Sequence, residues 1–227
     1  MKFICNLNMD TIKKHDFVEL EYVGRIKDTD HIFDLTSEEL AKEKNLYNPN
    51  LKYGPVVICV GENNIIKGLD IELEGKSIGK YKIGVSRENG FGKKNPRLIK
   101  IVNTNIFLKQ NINPFPGLQV NVDEVIGTIR SVSGGRCIID FNHPLAGRDL
   151  EYEVNIIKKV ISLNEKMKSL LNFVLYLRDE DFEINIENDV VNIKLKTTEK
   201  LPDEIKSEFE KRAKELVKEL KGVNFIQ

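Results

Sequence analysis

The stretch Phe17 to Ile26, FVELEYVGRI, sets Val18, Leu20 and Tyr22 against Glu19 and Glu21. Successive side chains of a strand point to opposite faces, so this period of two demands a sheet with one face buried and the other in water. LEYEVNIIKKV, from Leu150 to Val160, makes the same demand with Leu150, Tyr152 and Val154 facing one way. Between them the pattern changes several times. TSEELAKEKN has a Ser/Thr entry followed by acidic residues, the start signature of a short capped helix. GPVVICVGENN reads as an apolar strand closed by a turn, and IIKGLDIELEG as an amphipathic helix that stops near Gly75. KYKIGVSRENGFGKKNP reads as a strand that runs into a loop of Gly90, Gly92, Asn95 and Pro96.

From Leu98 onward the segments are short and punctuated by turns. NINPFPGLQV carries prolines around Phe115, and EVIGTIRSVSGGRCIIDF reads as two strands joined at Ser133-Gly134-Gly135, since paired glycines supply the positive φ angles of a tight hairpin. The last third has helical spacing in Met167, Leu170, Leu171, Val174 and Leu175, then a hairpin in FEINI and VVNIKL. A long amphipathic helix follows, with Ile205, Phe209, Ala213, Leu216, Val217 and Leu220 on one face. Pro202 sits at its first turn, Gly222 ends it, and VNFIQ adds an edge strand.

Composition removes several function classes. Thirty-five basic residues balance thirty-five acidic ones, so no net field draws the chain to nucleic acid or to an anionic membrane. No apolar run is long enough to span a bilayer, and MKFICNLNMD is too poor in apolar residues for the centre of a signal peptide. Met1 to Asp10 is expected to be a loose tail, and a start at Met9 leaves the rest of the pattern intact. Cys5, Cys59 and Cys137 are scattered and odd in number, which fits a reducing interior and a cytoplasmic location.

Covalent and metal chemistry find no foothold either. No G-x-S-x-G elbow occurs, and the glycines of GVSRENGFG are in the wrong order for a nucleotide fingerprint. His15, His31 and His143 stand far apart without paired ligands, so neither a metal nor a cofactor is expected. The Lys and Glu runs near the C-terminus read as solvated helix faces.

What remains is a set of mostly apolar residues near strand ends. VELEYVGRIKDTDHIFDLTS, GPVVICVGENNIIKGLDIELEGKSIGKYKIGV, ENGFG and DLEYEVNII occur in the order found in the FKBP-type peptidyl-prolyl isomerases, and the chain resembles that family from Asp16 to about Lys159. Asn142-His143-Pro144-Leu145-Ala146-Gly147 is similar to the Asn-His-x-Leu-Ala-Gly motif by which the SlyD subfamily and its archaeal relatives return from a domain inserted in the flap. The added C-terminal region is most similar to the long-type archaeal members.

The resemblance implies an α+β fold: an FKBP-like antiparallel half-barrel sheet wrapped on a short helix, an inserted small β-rich flap domain and a C-terminal α/β domain. The corresponding boundaries are a tail over 1–11, an isomerase domain over 12–96 and 142–160, an insert over 97–141 and a C-terminal domain over 161–227. It also implies a proline pocket formed by Tyr22, Phe33 and Asp34, walled by Val56 and Ile58. Ile65 and Ile66 follow, with the Ile66 N–H bonding a substrate carbonyl; Leu69 is the floor, Phe91 the rim and Tyr152 the return-strand wall. Asp34 is expected to bond Tyr22. Leu69 stands where many members have Trp, which implies a roomier pocket and weaker macrolide binding. Phe91 stands where many have Tyr, which removes a hydroxyl.

The insert has more apolar residues than a small module readily buries, and an exposed patch around Phe107, Phe115 and Val125 is expected to bind unfolded, proline-containing clients. By resemblance the C-terminal domain dimerises. A non-catalytic holdase or assembly chaperone that uses the same pocket only to bind stays open as the rival to an isomerase.

Overall fold

The structure is a computed structural model that describes residues 11–196 and 201–226; the expected tail lies outside the described residues. In chain order it opens with β1 (Phe17–Ile26), β2 (Ile32–Leu35), α1 (Glu38–Glu43), β3 (Val56–Cys59), α2 (Lys67–Leu73) and β4 (Gly79–Val85). Then come β5 (Ile99–Asn103), α3 (Asn105–Leu108), β6 (Gln119–Val122), β7 (Val125–Ser133) and β8 (Arg136–Asp140). It closes with β9 (Leu150–Lys159), α4 (Leu163–Val174), β10 (Phe182–Glu187), β11 (Val190–Leu195), α5 (Asp203–Leu216) and β12 (Gly222–Ile226). The fold is α+β and divides into two compact units, Ser86–Asp149 and the described residues on either side of it.

In the first unit, the two stretches with the strongest alternation are neighbours. β1 and β9 pair antiparallel from Val18 opposite Lys159 to Ile26 opposite Leu150. β4 lies beyond β9, while β2 and β3 share the other edge of β1. Phe17 to Leu20 pair with β3, and Val23 to Arg25 with β2. The inward side chains Val18, Leu20, Leu150, Tyr152, Val154 and Ile156 form one core with Leu69 and Leu73 of α2. α1 begins as its sequence suggests, with the Ser37 side chain accepting from the Leu40 N–H at 3.3 Å, which satisfies one of the open donors of the first turn.

A second core in the same unit joins α4, α5 and the sheet β10-β11-β12. β11 pairs antiparallel with β10 and parallel with β12. Phe17 and Cys59, from β1 and β3, belong to this core. α5 ends at Leu216, earlier than the run of apolar positions suggests, because Val217 turns extended (φ −119°, ψ 92°). Leu220 stays buried on the following turn, and Gly222 opens β12 instead of ending the helix.

The second unit is a four-stranded sheet in the order β5-β8-β7-β6. Gly134 and Gly135, both at positive φ (56° and 73°), make the β7–β8 turn, a conformation that glycine adopts without a Cβ penalty. Its core is Phe107, Val120, Ile129, Cys137 and Ile139. At its root the Asn142 side chain donates to the Asn95 carbonyl (3.1 Å) and to Asp140 (2.7 Å), and it accepts from the Asn95 N–H (2.7 Å). Burial alone would raise the Asp140 carboxyl, but the Asn142 side chain and N–H, with Arg130 and Lys94, hold it well below the usual carboxylate range. His143 stacks on Phe91 with ring centroids 4.3 Å apart and an interplanar angle of 2°, and its Nδ1 accepts from the Leu145 N–H at 3.2 Å.

Candidate active site

Eight of the residues expected in the proline pocket gather in one apolar cluster of the first unit. Ile58, Leu69 and Tyr152 are fully buried within it, and Tyr22, Phe33, Val56, Ile65 and Ile66 pack against it half-buried. Tyr152 meets Tyr22 and Phe33 edge-on, each pair with ring centroids 5.8 Å apart, the arrangement in which a ring's positive edge faces a negative π cloud. Asp34 stands at the polar border of this group, where the Tyr22 hydroxyl donates to its Oδ2 at 3.0 Å.

The electrostatics follow from burial. Desolvation, and then the nearby Asp34 carboxylate, push the Tyr22 hydroxyl far above its ordinary value, and the same two causes act on Tyr152. Both are neutral phenols across the physiological range. Burial also raises Asp34, against the lowering effect of the Tyr22 hydroxyl and the Leu35 N–H. Asp34 keeps an exposed flank, and that contact with water limits the rise, so the acidic member of the set stands at the water-facing border of an apolar surface.

Three of the expected residues are fully covered. Leu69 is 0% exposed, packed beneath the half-buried side chains of the cluster. Ile58 and Tyr152 lie in the same covered layer, because β3 and β9 present these side chains to the inside of the sheet. Tyr22, Phe33, Val56, Ile65 and Ile66 remain partly exposed above this layer. Phe91 belongs to the second unit, where its ring stacks on His143.

Ile66 is the N-cap residue of α2, and no side chain caps that helix. Its carbonyl accepts from Leu69 and Asp70, while its N–H has no acceptor among the described residues. The loop that carries it is tightly held. The buried carboxylate of Asp70 accepts from the N–H of Gly61 (2.9 Å) and of Asn63 (2.8 Å), and Asn64 Oδ1 accepts from the Cys59 N–H at 2.8 Å.

Two positions escaped the reading of the sequence. A Cβ at Gly24 would lie 2.8 Å from Tyr152 Cε1 and 2.9 Å from Phe33 Cζ, so this glycine makes room for the aromatic group. A glycine inside a strand marks such a close approach, and YVGRI displays it. Thr36 ties the exit of β2 to Tyr22, its hydroxyl accepting from the Tyr22 N–H at 3.0 Å and its own N–H donating to the Tyr22 carbonyl at 3.0 Å.

In the second unit, the expected exposed trio divides. Phe115 and Val125 are 55% and 52% exposed, whereas Phe107 is 2% exposed and forms the centre of the core. The reason is α3, a single turn that directs Phe107 inward while Ile106 and Leu108 on either side stay in solvent.

The cluster thus brings a half-buried apolar surface beside a backbone N–H that has no acceptor among the described residues. The family model for FKBP-type peptidyl-prolyl cis-trans isomerase matches residues 9–108, and the model for the FKBP26 IF domain matches residues 100–145. A short-type peptidyl-prolyl cis-trans isomerase of Methanocaldococcus jannaschii is 28% identical over 65% of this chain and 94% of its own length. A probable FKBP-type 16 kDa peptidyl-prolyl cis-trans isomerase of Pseudomonas fluorescens is 34% identical over 45% of this chain and 71% of its own. SlyD of Haemophilus influenzae is 30% identical over 45% and 56%. Among solved structures, the N-terminal domain of FKBP42 from Arabidopsis thaliana matches at 17% identity and a TM-score of 0.34 over 66% of this chain and 76% of its own. The chain belongs to the FKBP-type peptidyl-prolyl cis-trans isomerases, and its enzymatic class is that of the family.

Proposed function

We propose that the first unit catalyses rotation about X-Pro bonds at the surface of Tyr22, Phe33, Val56, Ile65 and Ile66. The observation that carries this reading is the Ile66 N–H without an acceptor beside a half-buried apolar surface. Rotation of an amide costs about 18–20 kcal/mol because resonance is lost, and X-Pro bonds interconvert unaided in roughly tens to hundreds of seconds. The twisted amide has less charge separation than the planar one, so a surface that strips water from the bond favours the twisted form. The proline ring rests against the apolar side chains, and the Ile66 N–H fixes the preceding carbonyl. Leu69, Ile58 and Tyr152 keep that surface rigid. Asp34 orients Tyr22 and borders the carbonyl side without transferring a proton.

We further propose that the second unit holds unfolded clients through Phe115 and Val125, together with Ile101 and Ile126, which are similarly exposed. On this reading it is the insert in the flap, a client held on it is tethered near the catalytic unit, and the raised local concentration offsets weak binding at each. The region from Leu163 on would serve as a dimerisation domain, consistent with the outer edge of β12, which pairs with no strand among the described residues. The scattered cysteines, with Cys59 and Cys137 free and buried, support a reducing, cytoplasmic setting.

Cis/trans isomerisation of a proline peptide, followed for wild type and Asp34→Ala, tests the enzyme. Wild type is expected to accelerate rotation and Asp34→Ala to do so less; no acceleration by wild type overturns the reading in favour of a holdase. Light scattering of the full chain over a dilution series tests the dimer, and a monomer mass at all concentrations overturns it.

A further inference from the structure

β3 is shared between two cores. Val56 and Ile58 face the cluster beneath the proline site, while Val57 and Cys59 face the core built by α4, α5 and β10 to β12. Alternate residues of a strand point to opposite faces, so this four-residue strand is the wall of the site on one side and part of the C-terminal core on the other. Its backbone shows the same division. Among the described residues β3 pairs only with β1, which leaves the groups on its other edge in need of partners. The buried Ser169 of α4 donates its hydroxyl to the Val57 carbonyl at 2.7 Å.

The C-terminal region also reaches both flanks of that strand. Upstream, the Lys52 ammonium meets Asp179 at 2.5 Å. Downstream, the Glu62 carboxylate is held between Arg212 of α5 and His15 Nε2, the latter at 3.3 Å. The Glu62 side chain is only 11% exposed, so water is a poor substitute for those partners. Glu62 stands in the loop that leads to Ile65 and Ile66 and is gripped from its other side by Asp70. Phe173 of α4 packs against the core of the site itself.

We propose that Arg212 is a positioning residue of the isomerase: through Glu62 it fixes the loop that presents the Ile66 N–H, so that the C-terminal region sets the geometry of the proline site within its own chain. This rests on the Ile66 N–H acting as donor to the substrate carbonyl. Arg212 touches no substrate. Its effect is to hold the donor where the carbonyl arrives, so that a displaced donor weakens the hold on substrate and transition state alike.

The test measures kcat and KM of the full chain on a proline peptide for wild type, Arg212→Ala, Arg212→Lys, Glu62→Gln and the Arg212→Ala/Glu62→Gln pair, at a temperature where thermal unfolding shows each folded. Arg212→Ala is expected to lower kcat/KM roughly five- to tenfold, mainly through KM, because the displaced donor binds ground and transition state alike. Arg212→Lys should recover part of the loss, and the double variant should lose no more than the worse single one, as two groups acting through one contact do. Folded variants with kcat/KM within twofold of wild type overturn the proposal, as does full additivity. If Arg212→Ala does not fold, Glu62→Gln, which keeps size and removes only the charge, decides by the same criterion. An inactive wild type would instead overturn the enzyme reading, so the two failures are distinct.

Discussion

The apolar cluster around Tyr152 and the sheet of the second unit cover their side chains to different degrees. In the cluster, large side chains turn inward or rest half-covered on a packed layer, and neighbouring loops are tied by hydrogen bonds such as those of Asp70 and Thr36; exposed residues of the first unit such as Leu51, Ile161 and Tyr176 lie outside it. In the second, five residues form the buried core, while Ile101, Ile106, Leu108, Phe115, Val125 and Ile126 stay exposed. Rotating a single bond needs a surface whose geometry is fixed before the substrate arrives. Holding a chain of no fixed shape, the role proposed for the second unit, needs an apolar face that tolerates many shapes.

The hardest blow to that contrast falls on the smaller core. Phe107→Ala removes its largest buried side chain and is expected to cost about 3–5 kcal/mol. Hydrogen exchange should show β5 to β8 opening while the amides of β1 and β9 keep their protection, and turnover of a short proline peptide should persist. Loss of protection in both units together would break the division. The next effect lies in the larger one. Gly24→Ala drives a methyl into the rings of Tyr152 and Phe33, an overpacking expected to cost about 1–3 kcal/mol. Peptide turnover should fall with it, and urea unfolding against kcat/KM checks both; unchanged turnover would mean that the aromatic group can shift without consequence.

What was readable in the sequence follows the same line. β1, β9 and α2 carry strict periods, and the order of their motifs placed Tyr22, Phe33, Val56, Ile65 and Ile66 in one cluster, with Asp34 bonded to Tyr22. β5 and β6 are brief, mix polar with apolar residues and sit among prolines, so no period announces them. Phe107 was read as exposed because a four-residue helix is too short to show which face is buried. Arg212 stands among the Lys and Glu residues that read as solvated helix faces. Its partner Glu62 lies 150 positions away, and no local pattern encodes a contact made only when β3 is shared between two cores.

A milder effect concerns the polar border of the site. Tyr22→Phe removes one hydrogen bond to Asp34, worth about 1 kcal/mol at neutral pH. At high pH the difference changes. Buried Tyr22 keeps its proton above its ordinary pKa of about 10, whereas the unfolded chain gives it up. The folded state then binds more protons, so stability falls as pH rises past about 10. Tyr22→Phe should flatten that decline, with Tyr152 still contributing its share. Urea midpoints from pH 9 to about 12 measure it, and identical slopes would show that Tyr22 is more hydrated than its packing implies.

The smallest change in stability is expected where the proposed client surface lies. Phe115→Ser with Val125→Ser alters two side chains already more than half exposed, and surface substitutions away from caps and cores stay within about 0.5 kcal/mol. Turnover of a short peptide should be unchanged, because neither residue belongs to the first unit. Catalysed refolding of a whole protein, by contrast, should slow sharply as the apolar face is lost. Stability and function would then separate in the second unit, as they do not at Gly24, where one methyl disturbs both. If the double variant refolds its client as fast as wild type, the exposed face is not what holds clients, and the contrast between the units is one of packing alone.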